Sequence, residues 1–125
     1  MKFVTYVHEI KESIGILENN NVFDIKDLLK KMGEKDIPGT MQKFIEYLDE
    51  DKSHKMELFL NNRVVEPVSL DSVKLKAPIP YPRRNVFCLG KNYEEHAREI
   101  KMTQISGNGI PEVPIYFTKV ASPAV

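Results

Sequence analysis

Three prolines within five residues divide this chain into two parts. The segment Pro78-Ile-Pro-Tyr-Pro82 fixes the φ angle at three positions and removes three backbone N–H donors. Because such a segment suits neither a helix nor the centre of a sheet, it is typical of a stiff boundary between domains. The sequence therefore predicts a small domain over residues 1–77, a proline-rich linker over 78–84 and the start of a second domain over 85–125.

Composition and charge exclude several classes of protein. The 125 residues are 42% hydrophobic and 29% charged, as in ordinary globular proteins, and 18 basic residues balance 18 acidic ones. With no net charge, nothing favours binding to nucleic acid or to an anionic membrane surface. No apolar run has the length of a membrane span, and no signal-peptide core follows the first residues. We therefore expect a cytoplasmic protein.

Residues 1–77 predict an antiparallel β-meander. A weakly alternating strand over 1–8 is followed by apolar runs at 13–17 and 22–25, with Asn19–Asn21 between them. Asparagine tolerates the left-handed backbone that hairpin turns require, so the two runs predict a hairpin.

Helices are predicted to complete this domain as an α+β fold. Asp24 can cap a helix over 25–32, which the following glycine would end. Thr40 begins a second helix, whose apolar residues recur every 3.6 positions. A third short helix is predicted over 55–62, and a strand follows over 73–77.

The domain has no pattern of catalytic residues. The acidic run Asp49–Asp51 has no second group of ligating residues nearby in sequence, so we interpret it as the solvated C-terminal end of the second helix. His8 and His54 are expected at the surface.

The second part begins with an apolar run and a polar helical stretch. Val86–Leu89 predicts a buried strand, which Gly90 ends. Cys88, the only cysteine, lies within this run, so it can form no intrachain disulfide and should act as a small hydrophobe. His96 and Glu99 follow at a spacing that places both side chains on one helix face.

Two interpretations of this pair remain open from spacing alone. A carboxylate that holds an imidazole fixes its tautomer and raises its basicity, so His96 and Glu99 can form a general base. The alternative is an exposed histidine beside a glutamate, since such pairs are common on helix surfaces.

The residues around the pair resemble the fumarylacetoacetate hydrolase family. Residues 90–99 read Gly-x-Asn-Tyr-x-x-His-x-x-Glu, which resembles the opening motif of the family's catalytic domain. Residues 114–119 read Pro-Ile-Tyr-Phe-Thr-Lys, which resembles the Pro-x-x-Phe-x-Lys pattern of its next strand. The match covers roughly residues 74–125. The chain is similar to the N-terminal part of bacterial members of the family that resemble 2-hydroxyhepta-2,4-diene-1,7-dioate isomerases or acylpyruvases. Many bacterial members carry a small N-terminal domain.

The resemblance implies roles for five residues. His96 would be the general base, and Glu99 would orient it. Lys119 would lie near the substrate, where an ammonium can stabilise an enolate or pair with a carboxylate. Tyr93 and Asn92 match the motif and would contribute to substrate binding, while a packing role for Tyr93 stays equally open.

The resemblance also implies a divalent cation. In the family, Mg²⁺ or Mn²⁺ chelates the oxygens of a small oxo acid and polarises its carbonyl. The family's ligands are a Glu-x-Glu pair and a later Asp, downstream of the second motif. The acidic residues after the proline-rich segment include no such pair, so we expect these ligands outside this chain.

By the same resemblance, residues 84–125 would supply only the first two strands and the lid of a β-rich mixed roll. The lid would cover residues 93–110, poorly ordered without ligand. Tyr116–Val120 would be an edge strand without a partner. We therefore expect this chain to be the N-terminal part of a longer, homodimeric enzyme and to be inactive on its own.

The predicted function is that of a metal-dependent hydrolase, isomerase or decarboxylase of small oxo acids or acylpyruvates, as in aromatic catabolism. Residues 78–125 hold six basic and four acidic residues, which suits an anionic substrate. The alternative is a non-catalytic binding or assembly module that retains the lid motif. An enzyme requires metal-binding carboxylates beyond Val125 or from a partner chain, whereas a module requires neither.

Overall fold

The structure, a computed structural model, describes residues 1–90 and 113–124. The chain forms two compact units, the first comprising residues 1–80 with Ala124 and the second residues 81–123. The predicted α+β class with an N-terminal meander is confirmed. The predicted limits of the domains, including the linker over 78–84, stay a prediction.

The first unit is built on a five-stranded antiparallel sheet. Its strands are β1 (Lys2–His8), β2 (Lys11–Glu18), β3 (Asn21–Asp24), β4 (Val68–Ser69) and β5 (Val73–Leu75). Their order across the sheet is β4-β3-β2-β1-β5, so the first three strands form a meander and the last two add one strand to each edge. A 3₁₀ turn over residues 70–72 joins β4 to β5.

The predicted asparagine turn joins β2 to β3. Asn19 and Asn20 have φ angles of 46° and 64°, in the left-handed region that asparagine tolerates. Glu18 therefore lies opposite Asn21, and the register continues to Gly15 opposite Asp24. The turn between β1 and β2 was not predicted, and its Glu9 has a φ angle of 56°.

The first unit contains three helices, the number predicted for residues 1–77. They are α1 (Ile25–Lys31), α2 (Met41–Tyr47) and α3 (Glu50–Asn61). Asp24 caps α1 as predicted, because its Oδ1 accepts from the amides of Lys26 at 2.8 Å and Asp27 at 3.2 Å. Gly33 follows α1 with a φ of 82°, the left-handed conformation that ends many helices. Thr40 caps α2, accepting from the Lys43 amide at 3.4 Å.

The interpretation of Asp49–Asp51 as the end of the second helix was wrong. α2 ends at Tyr47, and Oδ1 of Asp49 accepts a hydrogen bond of 2.8 Å from the Lys52 amide as the N-cap of α3. The acidic run therefore lies at the start of a helix, where carboxylates interact favourably with the unpaired N–H groups. The third helix accordingly begins at Glu50 rather than near residue 55.

The core lies between the helices and one face of the sheet. Phe3 of β1 meets Phe44 of α2 edge to face, with ring centroids 5.1 Å apart. The fully buried members of this core come from β2, the start of α1, α2 and α3: Ile14, Ile16, Ile25, Leu28, Leu29, Phe44 and Met56. Ile79, from the proline-rich segment, also packs against the core. Among the described residues, no helix is both long and apolar enough to cross a membrane.

The described residues of the second unit contain one antiparallel hairpin. Its strands are β6 (Val86–Gly90) and β7 (Ile115–Lys119), with Val86 opposite Lys119 and Gly90 opposite Ile115. Both strands were predicted, but two expectations about them were wrong. β7 has a partner, since it pairs with β6 along its whole length. β6 is largely exposed within the described residues, because a two-stranded hairpin has no second layer to cover it.

Candidate active site

Most of the predicted site lies beyond what the structure describes. Asn92, Tyr93, His96 and Glu99 are all outside the described residues, as is the lid predicted over 93–110. Their roles and their proximity to one another therefore stay predictions.

Lys119 is the predicted site residue that the structure places. It is the last residue of β7, it is exposed, and its Cα lies opposite that of Val86. Because side chains alternate along a strand, Lys119 shares one face of the hairpin with Ile115, Phe117 and, from β6, Cys88. The ammonium group is thus carried at the end of an apolar face.

The hairpin also fixes where the motif segment is attached. Gly90 and Ile115 are paired, so the segment between them leaves and rejoins the hairpin at the same end. Lys119 lies at the other end, four residues along β7, which corresponds to about 13 Å of extended strand.

A divalent-cation site does not assemble in the described part of the chain. Among residues 1–90 and 113–124, no group of three or more His, Cys, Asp or Glu residues is arranged so that it could hold a metal ion. These residues therefore do not fit the ligand set that Mg²⁺ or Mn²⁺ requires.

A polar cluster in the first unit was missed by the sequence analysis. Oδ2 of Asp24 accepts hydrogen bonds from the Tyr6 hydroxyl at 2.7 Å and the Ser13 hydroxyl at 2.6 Å. Burial alone would raise the pKa of Asp24, but hydrogen bonds from Ser13, Tyr6 and two backbone amides lower it below its usual value. Burial and the adjacent Asp24 carboxylate raise the pKa of Tyr6. The cluster therefore holds a neutral tyrosine against an ionised aspartate.

The surroundings of this cluster point to a structural role. Tyr6 and Ser13 are buried partners across the β1–β2 ladder, and Asp24 caps α1 with its other oxygen. The Tyr6 ring lies against Gly15, where an added Cβ would be 3.0 Å from Cε1 of the ring. The cluster thus ties two strands to the start of a helix. The cluster could be predicted only from the register of β1 against β2, because that register places Tyr6 opposite Ser13.

A second polar cluster joins α3 to the chain that follows α1. The Lys55 ammonium donates to the carbonyl oxygen of Met32 at 3.2 Å and lies 3.5 Å from the Glu34 carboxylate. Burial and the nearby Glu34 raise the pKa of Tyr47 to about 12. The Lys52 ammonium lies 4.7 Å from the centre of the Tyr47 ring, within cation–π range. These contacts fasten helices together and contain no nucleophile–base pair.

Comparison with known proteins identifies relatives of the whole chain. No protein-family model matches it. A fumarylacetoacetate hydrolase domain-containing protein 2 homolog from Dictyostelium discoideum is 33% identical over 122 residues, and oxaloacetate tautomerase YisK from Bacillus subtilis (strain 168) is 35% identical over 127. Both alignments cover 95% of this chain, which spans 36% and 41% of the respective relatives. The family resemblance of the two motifs is therefore confirmed: the chain is a homologue of proteins of the fumarylacetoacetate hydrolase family.

Proposed function

We propose that this chain is part of an enzyme that moves a proton on a small oxo acid, with keto–enol tautomerisation of oxaloacetate as its first candidate reaction. The observation that carries the proposal is the 35% identity, over 95% of the chain, to a protein named oxaloacetate tautomerase. The relatives support a hydrolase or isomerase type of activity in general. Since the chain spans less than half of each relative, the activity, the cytoplasmic location and the homodimer are proposals for the whole protein.

The reaction requires a base and a group that stabilises the negative charge developing on the substrate. Tautomerisation takes a proton from the methylene carbon beside the ketone and returns one to the carbonyl oxygen, by way of an enolate. In this proposal His96 removes the proton, and Glu99 holds the imidazole in the required tautomer. Lys119 supplies positive charge to the substrate, as its exposed position at the end of β7 allows.

A divalent cation is the remaining part of the proposal. Mg²⁺ or Mn²⁺ would chelate the oxo-acid oxygens and stabilise the enolate. Since no ligand set assembles among the described residues, the ligands would come from elsewhere in the whole protein. Hydrolysis of acylpyruvates and decarboxylation of oxo acids, which use substrates of the same class, are the other candidate reactions.

The test is an assay of the protein encoded by the complete coding sequence. The enol form of oxaloacetate absorbs ultraviolet light, so its conversion to the ketone can be followed directly with Mg²⁺ or Mn²⁺ present. His96→Ala should lower kcat by about 10²- to 10⁴-fold, the usual contribution of a general base. His54→Ala is the matched control, because His54 is exposed on α3. A near-normal rate for His96→Ala would remove this histidine from the mechanism.

Glu99→Gln separates the roles within the pair. Glutamine keeps a hydrogen-bond acceptor for the imidazole but loses the charge, so this variant should be slower than wild type and faster than His96→Ala. Glu95→Gln is its control, because it changes a neighbouring carboxylate at a position where the motif specifies no residue type. An equal loss for the two glutamine variants would mean that charge near the segment matters rather than the pairing.

The alternative of a non-catalytic module gives a different result. A full-length protein with no turnover of oxaloacetate or of acylpyruvates, with either metal, would favour that alternative. The 125-residue chain alone is expected to show no turnover and weak Mg²⁺ binding. A tight Mg²⁺ site in calorimetry of this chain would place metal ligands within it.

A further inference from the structure

The start of the proline-rich segment is bound to the first strand. Thr5 of β1 is 2% exposed, and its backbone carbonyl accepts a hydrogen bond of 2.9 Å from the Lys76 amide. Its hydroxyl donates to the carbonyl oxygen of Pro78 at 2.6 Å. One buried threonine therefore holds the segment at two positions, once through its backbone and once through its side chain.

The end of the same segment is held by the core and by a distant residue. Ile79 packs against the hydrophobic core, and Pro80 is buried. The carbonyl oxygen of Pro80 accepts a hydrogen bond of 2.8 Å from the amide of Ala124. The chain leaves the first unit after Pro80 and re-enters it at Ala124. This hydrogen bond therefore joins the last residue before the exit to the first residue after the return.

These contacts use the polar groups that a proline segment retains. Proline has no N–H to donate, so Pro78 and Pro80 can be fixed only through their carbonyl oxygens and their rings. Both carbonyl oxygens are bonded within the first unit. A buried hydroxyl costs stability unless it is bonded, and the Thr5 hydroxyl is satisfied here.

We propose that Thr5 and Ala124 form a clamp on residues 76–80 that fixes where the chain leaves and re-enters the first unit. Thr5 is then a positioning residue for the junction. The segment up to Pro80 therefore behaves as part of the first unit. This inference is independent of the proposed catalytic activity.

Hydrogen exchange of single amides, followed by NMR on the 125-residue chain, tests the clamp. Thr5→Val keeps the shape and the backbone bond but removes the hydroxyl. It should speed exchange at the Ala124 amide by about tenfold, roughly the equilibrium effect of one hydrogen bond, while Ile14 and Ile16 in β2 are unchanged. Thr5→Ser, which retains the donor, should restore slow exchange.

Ser13→Ala is the matched control, since it removes another buried hydroxyl of the sheet, one that bonds Asp24 rather than the segment. It should leave exchange at Ala124 unchanged. An Ala124 amide that exchanges freely in the wild-type protein would overturn the proposal, even if Thr5→Val did not fold. So would a Thr5→Val variant in which Ala124 and the β2 amides lose protection equally, because that describes a general loss of stability.

Discussion

Two phenylalanines show how differently the two units treat apolar side chains. Phe44 of α2 is fully buried, whereas Phe87 of β6 is 78% exposed. Phe44 lies between helices and a sheet, which form two layers. Phe87 stands on a two-stranded hairpin, where the described residues form one layer. An apolar run therefore predicts a strand more securely than it predicts burial, because burial depends on a second element.

The two sheets also differ in the pattern of their strands. In β1 and β2, the residues that face the helices enter the core, while the Tyr6–Ser13 pair lies on the other face. In the hairpin, both faces carry apolar residues, with Phe87 and Tyr116 on one and Val86 and Phe117 on the other. Such two-faced strands are typical of sheets covered on both sides, and an isolated hairpin is marginal in water.

The largest expected effect is on the buried phenylalanine. Phe44→Ala removes a ring from a closed core and should lower the free energy of unfolding by about 3–5 kcal/mol. The helical circular dichroism signal during urea unfolding measures this, because all the described helices lie in the first unit. Phe87→Ala, the same change on the hairpin, should alter that free energy by less than about 0.5 kcal/mol. Equal losses for the two variants would break the comparison.

Glycines offer a second test of close packing in the first unit. A Cβ at Gly15 would lie 2.6 Å from Cγ1 of Val22 and 3.0 Å from the Phe23 carbonyl oxygen, so Gly15→Ala must displace its neighbours. We expect a loss of about 1–3 kcal/mol in the free energy of unfolding. At Gly39 nothing lies within 4 Å of an added Cβ, so Gly39→Ala should be neutral within about 0.5 kcal/mol. A neutral Gly15→Ala would mean that the sheet adapts there.

Much of the first unit was predictable because its signals are local. The asparagine turn and the cap at Asp24 each depend on residues within a few positions of one another. Asp49 shows the limit of such signals. An aspartate between two helical patterns can follow one helix or cap the next, and the contact with the Lys52 amide decides. The two-residue strand β4 was missed because a run so short has no period.

The candidate site was predictable only as a motif. The spacing of His96 and Glu99 left two interpretations open, and the resemblance to the family came from the two motifs, at residues 90–99 and 114–119; the two relatives bear that resemblance out. The position of Lys119 at the far end of the hairpin could not be read from the motif, because it depends on which residue pairs with Gly90. Likewise, the second hydrogen-bonding role of Asp24 depends on strand register rather than on neighbours in sequence.

A third prediction concerns pH and the polar side of the first unit. The folded protein lowers the pKa of Asp24 below 3.8, so its ionised form stabilises the fold. This contribution is complete well above the unfolded-state pKa and is lost as the pH falls from about 5 through the lowered folded-state value. Asp24→Asn should cost about 1 kcal/mol at neutral pH and should flatten the acid side of the stability profile.

The control for this profile is Asp36→Asn, since Asp36 is exposed in the loop before α2. It should follow the wild-type curve. Urea unfolding at a series of pH values measures both variants. An Asp24→Asn curve parallel to that of wild type down to acid pH would show that the hydrogen bonds to Asp24 do not depend on its charge.

The smallest expected effect tests the corrected start of α3, at the edge of the first unit. Asp49→Ala removes the acceptor for the Lys52 amide and an ion pair with the Lys52 side chain, so the melting temperature should fall by less than for Asp24→Asn. Asp51→Ala, in the first turn of the same helix, removes a carboxylate that is not the cap and should have a still smaller effect. If Asp49–Asp51 instead ended α2, both carboxylates would face the negative end of a helix and both changes would raise the melting temperature. The two assignments of the acidic run thus predict changes of opposite sign in the melting temperature. Thermal unfolding of these two variants therefore distinguishes the assignments even though the expected changes are small.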